Sequence, residues 1–306
     1  MRRFFEPGAA RRLTAACLPG GRCVSLGRVN LWQEVVIAAA AFAAGLINSI
    51  AGGGTLVSFP ALLWTGRDAV LANATSTVAL WPATLAGAFG FRRELKGGAR
   101  NVVLFGVPSV IGGVLGAVLL LRTPSTIFAR LVPFLILFAT LLLAAQEPVS
   151  RRLRAARGGE AKRDDNGEKR DGIEAETDSS HSRAETASRS WLAGALVFQF
   201  FVGLYGGYFG AGIGILMLAA LGLLGFADIH RMNALKNLLA ICINGVAAVY
   251  FIASGAVIWA DVLVMTFAAV AGGYAGARLA YRLGRRFVRI AVIVIGLVMS
   301  ISLFFK

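Results

Sequence analysis

Charge is scarce in this chain. Asp, Glu, Lys and Arg make up 15% of its 306 residues, where soluble domains carry about a quarter. Histidine is rarer still, with His181 and His230 far apart, and the cysteines Cys17, Cys23 and Cys242 form no recognisable framework. A metal centre needs thiolates, imidazoles or carboxylates at ligand spacing, so the residue types give no support to a metal site. No Gly-x-x-x-x-Gly-Lys-Ser/Thr loop is present, which argues against a built-in ATP pump. No nucleophile–base constellation marks an enzyme, and no cofactor is implied. Outside a central polar stretch the only acids are Glu6, Glu34, Asp68, Glu94, Asp228 and Asp261. Asp68, Asp228 and Asp261 fall near the ends of apolar segments, so no buried carboxylate relay is visible. Residues 1–30 are rich in Arg, Gly and Ala and lack an apolar run of signal-peptide length. They are expected to be a disordered basic arm.

What is abundant is apolar surface. Hydrophobic residues make up 57% of the chain, and its mean hydropathy is +0.70. No soluble core buries that much, so lipid must be the solvent for most of it. The formal charge of +15 sits largely at the ends of apolar stretches, as topology signals do. Without a basic face interleaved with aromatics, it does not point to nucleic acid. Apolar segments recur at 31–50, 54–66, 70–91, 99–121 and 126–145, then at 191–208, 212–226, 230–252, 257–280 and 287–305. Trp64, Trp81, Trp259 and Tyr281 suit interface belts. Residues 146–190 are highly charged with almost no aliphatic content, and are expected to be a disordered linker. The expectation is an all-α, multi-pass protein of a bacterial inner membrane.

The chain repeats itself. Gly45-Leu46, Gly52, Gly54 and Ala61 match Gly203-Leu204, Gly210, Gly212 and Ala219 at one offset. After a two-residue insertion, Asn73-Ala74, Gly112-Gly113, Gly116, Ala117 and Arg122 match Asn233-Ala234, Gly272-Gly273, Gly276, Ala277 and Arg282. Two homologous halves follow, 31–145 and 191–306. Five crossings in each half would invert the second relative to the first; four, with the short segments joined to their predecessors as broken helices, would keep them parallel. Five with the N-terminus outside bring Arg92, Arg93, Lys96 and Arg100, the linker, Arg231, and Arg278 to Arg289 to the cytoplasm. Charge thus favours the inverted arrangement, and the arginines of residues 1–30 are the evidence against it.

Segments 54–66 and 212–226 are too short for a comfortable crossing, and each follows a glycine cluster. Short, glycine-interrupted segments at matching places in two halves mark the binding sites of transporters. The clusters are Asn48 to Thr55, with Gly52, Gly53 and Gly54, and Gly206 to Gly214, with Gly206, Gly207, Gly210 and Gly212. Close helix packing is the plain reason for such glycines. The functional reason is an unwound link whose following helix aims its free N–H groups at a small anion. A second motif pair opens a long helix in each half: Asn73-Ala74-Thr75-Ser76-Thr77, and Asn233-Ala234-Leu235-Lys236-Asn237. Helix capping is the plain reason for its Asn, Thr and Ser; hydrogen bonds to an oxyanion are the functional one. Lys236 is costly inside a bilayer, unless it snorkels to the interface. Candidate substrate-binding residues are therefore Asn48, Gly52, Gly53, Gly54, Thr55, Asn73, Thr75, Ser76, Gly206, Gly207, Gly210, Gly212, Asn233, Lys236 and Asn237.

The stretches GLINSIAGGGTLVSFPALL, GLYGGYFGAGIGILMLAALGLLG, NATSTVALWPATLAGAF, RMNALKNLLAICINGVAAVYF and GGYAGARLAYRL resemble the sulfite exporter TauE/SafE family of membrane transporters. The resemblance covers 31–305. It implies a secondary transporter moving sulfite, sulfoacetate or other small organosulfur or organic anions, usually outward. It also implies two repeated halves with the site between them, near the four motifs above. A metal or cation permease and a membrane assembly factor are the alternatives. Substrate, direction, a coupling ion (proton or sodium) and a monomer or homodimer are left open by the sequence.

Overall fold

The computed structural model describes residues 15–18, 22–25, 31–50, 53–89, 99–164, 178–223, 229–283 and 285–305. Ten helices are described: α1 (Leu31–Ile50), α2 (Thr55–Trp64), α3 (Ala69–Phe89), α4 (Ala99–Arg122), α5 (Ser125–Asp164), α6 (Asp178–Tyr208), α7 (Ile213–Leu223), α8 (Ile229–Ala253), α9 (Trp259–Leu283) and α10 (Arg285–Phe304). Stretches of α1, α4, α5, α8 and α9 are long and apolar enough to cross a membrane; α2 and the apolar parts of α6 and α10 are shorter. From Leu31 onward the described residues form an all-helical, multi-pass bundle.

Two stretches outside the apolar segments carry some regular structure. Within residues 1–30, β1 (Ala15–Leu18) pairs antiparallel with β2 (Arg22–Ser25). At the linker, α5 runs on to Asp164 and α6 begins at Asp178. Low aliphatic content removes a core-facing stripe, but Ala, Arg, Glu and Lys remain good helix formers.

The packing repeats as the sequence does. Helix α1 lies along α9 as α6 lies along α4; α3 meets α9 as α8 meets α4; α3 packs on α8 and α5 on α10. Exchanging the first five helices for the last five leaves this pattern unchanged. The glycines show the same exchange residue by residue. A methyl at Gly112 would strike the backbone of Phe200, and one at Gly272 the backbone of Phe42. Gly116 lies against Leu204 and Gly276 against Leu46; Gly45 lies against Ala269 and Gly203 against Ser109. Small residues four apart let parallel helices approach backbone to backbone, and in lipid such packing replaces a hydrophobic driving force.

Helices exchanged with each other run antiparallel. Early in α3, the Thr75 hydroxyl oxygen accepts from the Ile258 N–H beyond the end of α8 (3.1 Å). Later in α3, the Trp81 indole N–H donates to the Ile241 carbonyl (3.2 Å) and its ring covers Gly245. Along α5 and α10, Phe134 meets Phe304, the Ser300 hydroxyl donates to the Pro133 carbonyl (2.9 Å), and Thr140 faces Gly296.

Helix α3 is the hub. Ala69 to Leu80 are buried all round, as a helix walled by other helices should be. Asp68 starts it: one carboxylate oxygen accepts from the N–H groups of Val70 (3.0 Å) and Leu71 (3.2 Å), an N-terminal cap. The same oxygen accepts from the Ser125 hydroxyl (2.9 Å), drawing in the α4–α5 turn. Next to it, Arg67 makes a two-pronged ion pair with Asp261 at the start of α9: Nε to Oδ2 at 2.7 Å and Nη2 to Oδ1 at 2.9 Å. Three turns, α2–α3, α4–α5 and α8–α9, therefore meet at one end of the bundle.

Candidate functional site

Both glycine clusters interrupt the helices. After α1 ends at Ile50, Gly53 adopts φ +91° and α2 starts at Thr55, from Gly54, which contributes no side-chain cap. After α6 ends at Tyr208, Gly210 and Gly212 adopt φ +81° and +78°, and α7 starts at Ile213. Left-handed backbone of this kind costs a side-chain-bearing residue about 1 kcal/mol or more. The start of α2 does not lie at the end of α1 but folds back against Ala44, well inside it.

The two breaks lie against one helix. A side chain at Gly53 would touch Leu143, and one at Gly212 would touch Ala139. Ala139 and Leu143 are four apart on α5 and so share a face. The starts of α2 and α7, 158 residues apart in sequence, thus flank the same stripe one helical turn apart. Phe59 of α2 meets Phe209 edge to face at 5.5 Å across the same region.

The sequence-derived residues divide into two groups. The first has protein partners. The Asn73 side-chain N–H donates to the Tyr208 carbonyl at the end of α6 (2.9 Å). Thr75 holds Ile258, and Ser76 shares a 2.7 Å hydrogen bond with Ser58 of α2. These three residues of α3 therefore tie together α6, the α8–α9 turn and α2. Gly54 lies against the Ala44 backbone and Gly207 against the Gly113 backbone; Gly206 is covered by Ile243 and Ile213. At these three glycines, helix packing accounts for the missing side chain.

Three further residues lack such partners. Asn48, Thr55 and Asn237 are half-buried, and among the described residues no hydrogen bond reaches their side chains. Asn244, on α8 beyond Asn237, brings its side-chain oxygen to 3.6 Å from where a Gly210 side chain would begin. Lys236 is half-buried and lays its stem across Gly214 in the first turn of α7, with Cδ 3.3 Å from the position of a Cβ there. Gly52 and the Asn233 side chain lie outside the described residues.

Sequence reasoning missed the Arg67–Asp261 pair, whose side chains are only 5% and 3% exposed. Both residues sit at segment ends, where exposure is the ordinary expectation. It also missed Gln199, which donates to the Ser109 hydroxyl from inside an apolar run (2.7 Å). A lone amide among Phe and Val was the available signal.

Comparison with known proteins places this bundle of interrupted helices in a family. The profile of the family described as Sulfite exporter TauE/SafE matches residues 37–303. The chain belongs to the TauE/SafE family. That match runs from within α1 to the last turn of α10. Among its relatives, a "Probable membrane transporter protein" of Haemophilus influenzae is 26% identical over 260 residues, 85% of this chain and 89% of that protein. "Probable membrane transporter protein YfcA" of Escherichia coli K12 is 27% identical over 266 residues, 87% of each. "Probable membrane transporter protein ORF9" of a Sinorhizobium species is 24% identical over 265 residues, 86% of this chain and 89% of that protein. No solved structure matches the chain. This TauE/SafE member is a multi-pass membrane transporter.

Proposed function

We propose that this protein is a secondary transporter that exports small anions such as sulfite, sulfoacetate and related organosulfur or organic anions from the bacterial cytoplasm. Its site is the region between two inverted repeats, near the middle of the inner membrane. The observation that carries the reading is the pair of glycine breaks set one turn apart along α5. Each break starts a helix of 10 or 11 residues, about 15 Å long, half of the ~30 Å hydrocarbon core. Such a half-helix begins at depth, and its first N–H groups and positive dipole end favour an anion there without a full cationic charge. Lys236 adds positive charge beside α7. Asn48, Thr55 and Asn237 add donors with unspent hydrogen-bonding capacity.

The inverted relation is supported by the antiparallel run of the exchanged pairs, α3 with α8 and α5 with α10. A two-fold axis that swaps antiparallel neighbours crosses them, and for membrane-spanning helices it then lies in the membrane plane. Four crossings per half would carry the α2–α3 and α8–α9 turns to opposite faces, where Arg67 and Asp261 could not meet. A proton or sodium gradient is the natural driving force, and a homodimer is compatible with the arrangement.

The test is flux in proteoliposomes loaded with labelled sulfite or sulfoacetate. Efflux above that of empty liposomes is expected, and Asn48→Ala and Asn237→Ala should slow it at least several-fold while leaving the thermal midpoint of the protein unchanged. If neither anion moves under a proton or a sodium gradient, the reading fails.

A further inference from the structure

We propose that the phenolic hydroxyl of Tyr205 donates a hydrogen bond to an oxygen of the transported anion; this rests on the small-anion reading of the site. Tyr205 Oη is, among the described residues, the buried side-chain polar atom that has no hydrogen-bond partner. Among the other fully buried polar side chains described, Asn73, Thr75, Ser76, Ser109, Gln199, Ser300 and the Arg67–Asp261 pair all have partners. A buried hydroxyl left without one costs about 1–3 kcal/mol, so an orphan in an otherwise satisfied interior calls for a reason. A ligand that arrives and completes the bond is such a reason.

The position fits. Tyr205 stands in the last turn of α6, and its carbonyl accepts from the N–H groups of Phe209 (2.9 Å) and Gly210 (3.2 Å), the residues that lead into the second break. Its ring is held edge to face by Phe138 of α5 (5.5 Å) and Phe209 (6.3 Å). Phe138 adjoins Ala139, the residue bordering Gly212. The phenol is thus fixed beside the start of α7 by aromatic packing, and that packing does not depend on the hydroxyl.

Its chemistry fits as well. A neutral O–H offers a proton to an oxyanion without bringing a charge that must be desolvated in the empty site. The repeat shows that this donor comes from one half alone, because the residue matching Tyr205 is Ile47, which is buried and apolar. Two equivalent half-helices would otherwise make a symmetric cradle; one added phenol gives it a preferred side for the substrate oxygen.

The Tyr205→Phe variant keeps the ring and removes only the donor. Wild type and variant are purified, their thermal midpoints recorded with and without sulfite, and sulfite flux is measured in proteoliposomes over a range of concentrations. Without sulfite the variant should be as stable as wild type or slightly more so, since the lost hydroxyl has no partner among the described residues. Its half-saturating sulfite concentration should rise roughly ten-fold or more, the scale of one hydrogen bond to a charged group. A variant that loses stability without sulfite while saturating like wild type would assign the hydroxyl a structural role and overturn the proposal. Unchanged stability with unchanged saturation overturns it too. A wild type that neither moves nor is stabilised by sulfite or sulfoacetate overturns the small-anion reading itself, and this inference with it.

Discussion

At the scale of single residues, the costliest feature is the pair of opposite charges at Arg67 and Asp261, almost wholly withdrawn from solvent. Burying two charges gains little net stability when they are well paired, but removing one leaves the other stranded at about 3–5 kcal/mol. Asp261→Asn should therefore lower the thermal midpoint sharply in a detergent-solubilised sample. The double variant Arg67→Met with Asp261→Leu should recover most of the loss; a double variant as unstable as the single one would show that the pair does more than compensate its own burial. None of this was legible in sequence, because the partners are 194 residues apart and neither has a charged equivalent in the other repeat. By contrast, Asn73, Thr75 and Ser76 stood out as polar residues in an apolar helix. Sequence left capping and substrate binding both open for them; the partners in the structure show what they join.

At the scale of helices, glycines do two different jobs that look alike on paper. Those at Gly53, Gly210 and Gly212 turn the backbone left-handed. Those at Gly45, Gly203, Gly112 and Gly272 let one helix backbone rest on another. Gly45→Ala and Gly203→Ala should each destabilise the bundle by about 1–3 kcal/mol, because the obstructing atom is a carbonyl that cannot rotate away. Gly106→Ala on α4 and Gly194→Ala on α6, where an added methyl meets nothing within 4 Å, should leave stability unchanged or raise it by up to about 1 kcal/mol. Comparing the four thermal midpoints checks the close approach directly, and equal behaviour in all four would contradict it. The repeat alignment found in sequence anticipated which glycines correspond, since the residues they touch obey the same two offsets.

At the scale of the whole molecule, the topology is tested by which turns share a side of the membrane. In a background with Cys17, Cys23 and Cys242 replaced by Ser, single cysteines at Pro124→Cys, in the α4–α5 turn, and Ser254→Cys, in the α8–α9 turn, can be probed in intact cells with a membrane-impermeant maleimide. Inverted repeats with the N-terminus outside expect both to label from outside and Asn166→Cys in the linker not to label. Labelling of Pro124→Cys and Ser254→Cys from opposite sides would restore the parallel, four-crossing arrangement. The distribution of arginine already leaned towards inversion, and the meeting of Arg67 with Asp261 supplies an independent reason.

Composition alone determined that lipid is this chain's solvent, because apolar content and sparse charge leave no other medium for so much surface. Periodicity and self-similarity determined that the chain is a duplicated set of helices interrupted at matching glycines, since backbone preference is local and survives in one dimension. Tertiary structure alone decided that both interruptions lie on one face of α5, that the polar start of α3 fastens three other elements, and that Tyr205 has no partner for its hydroxyl among the described residues. Each of these is a relation between segments far apart along the chain, set by packing, and a single sequence does not say which distant segments meet.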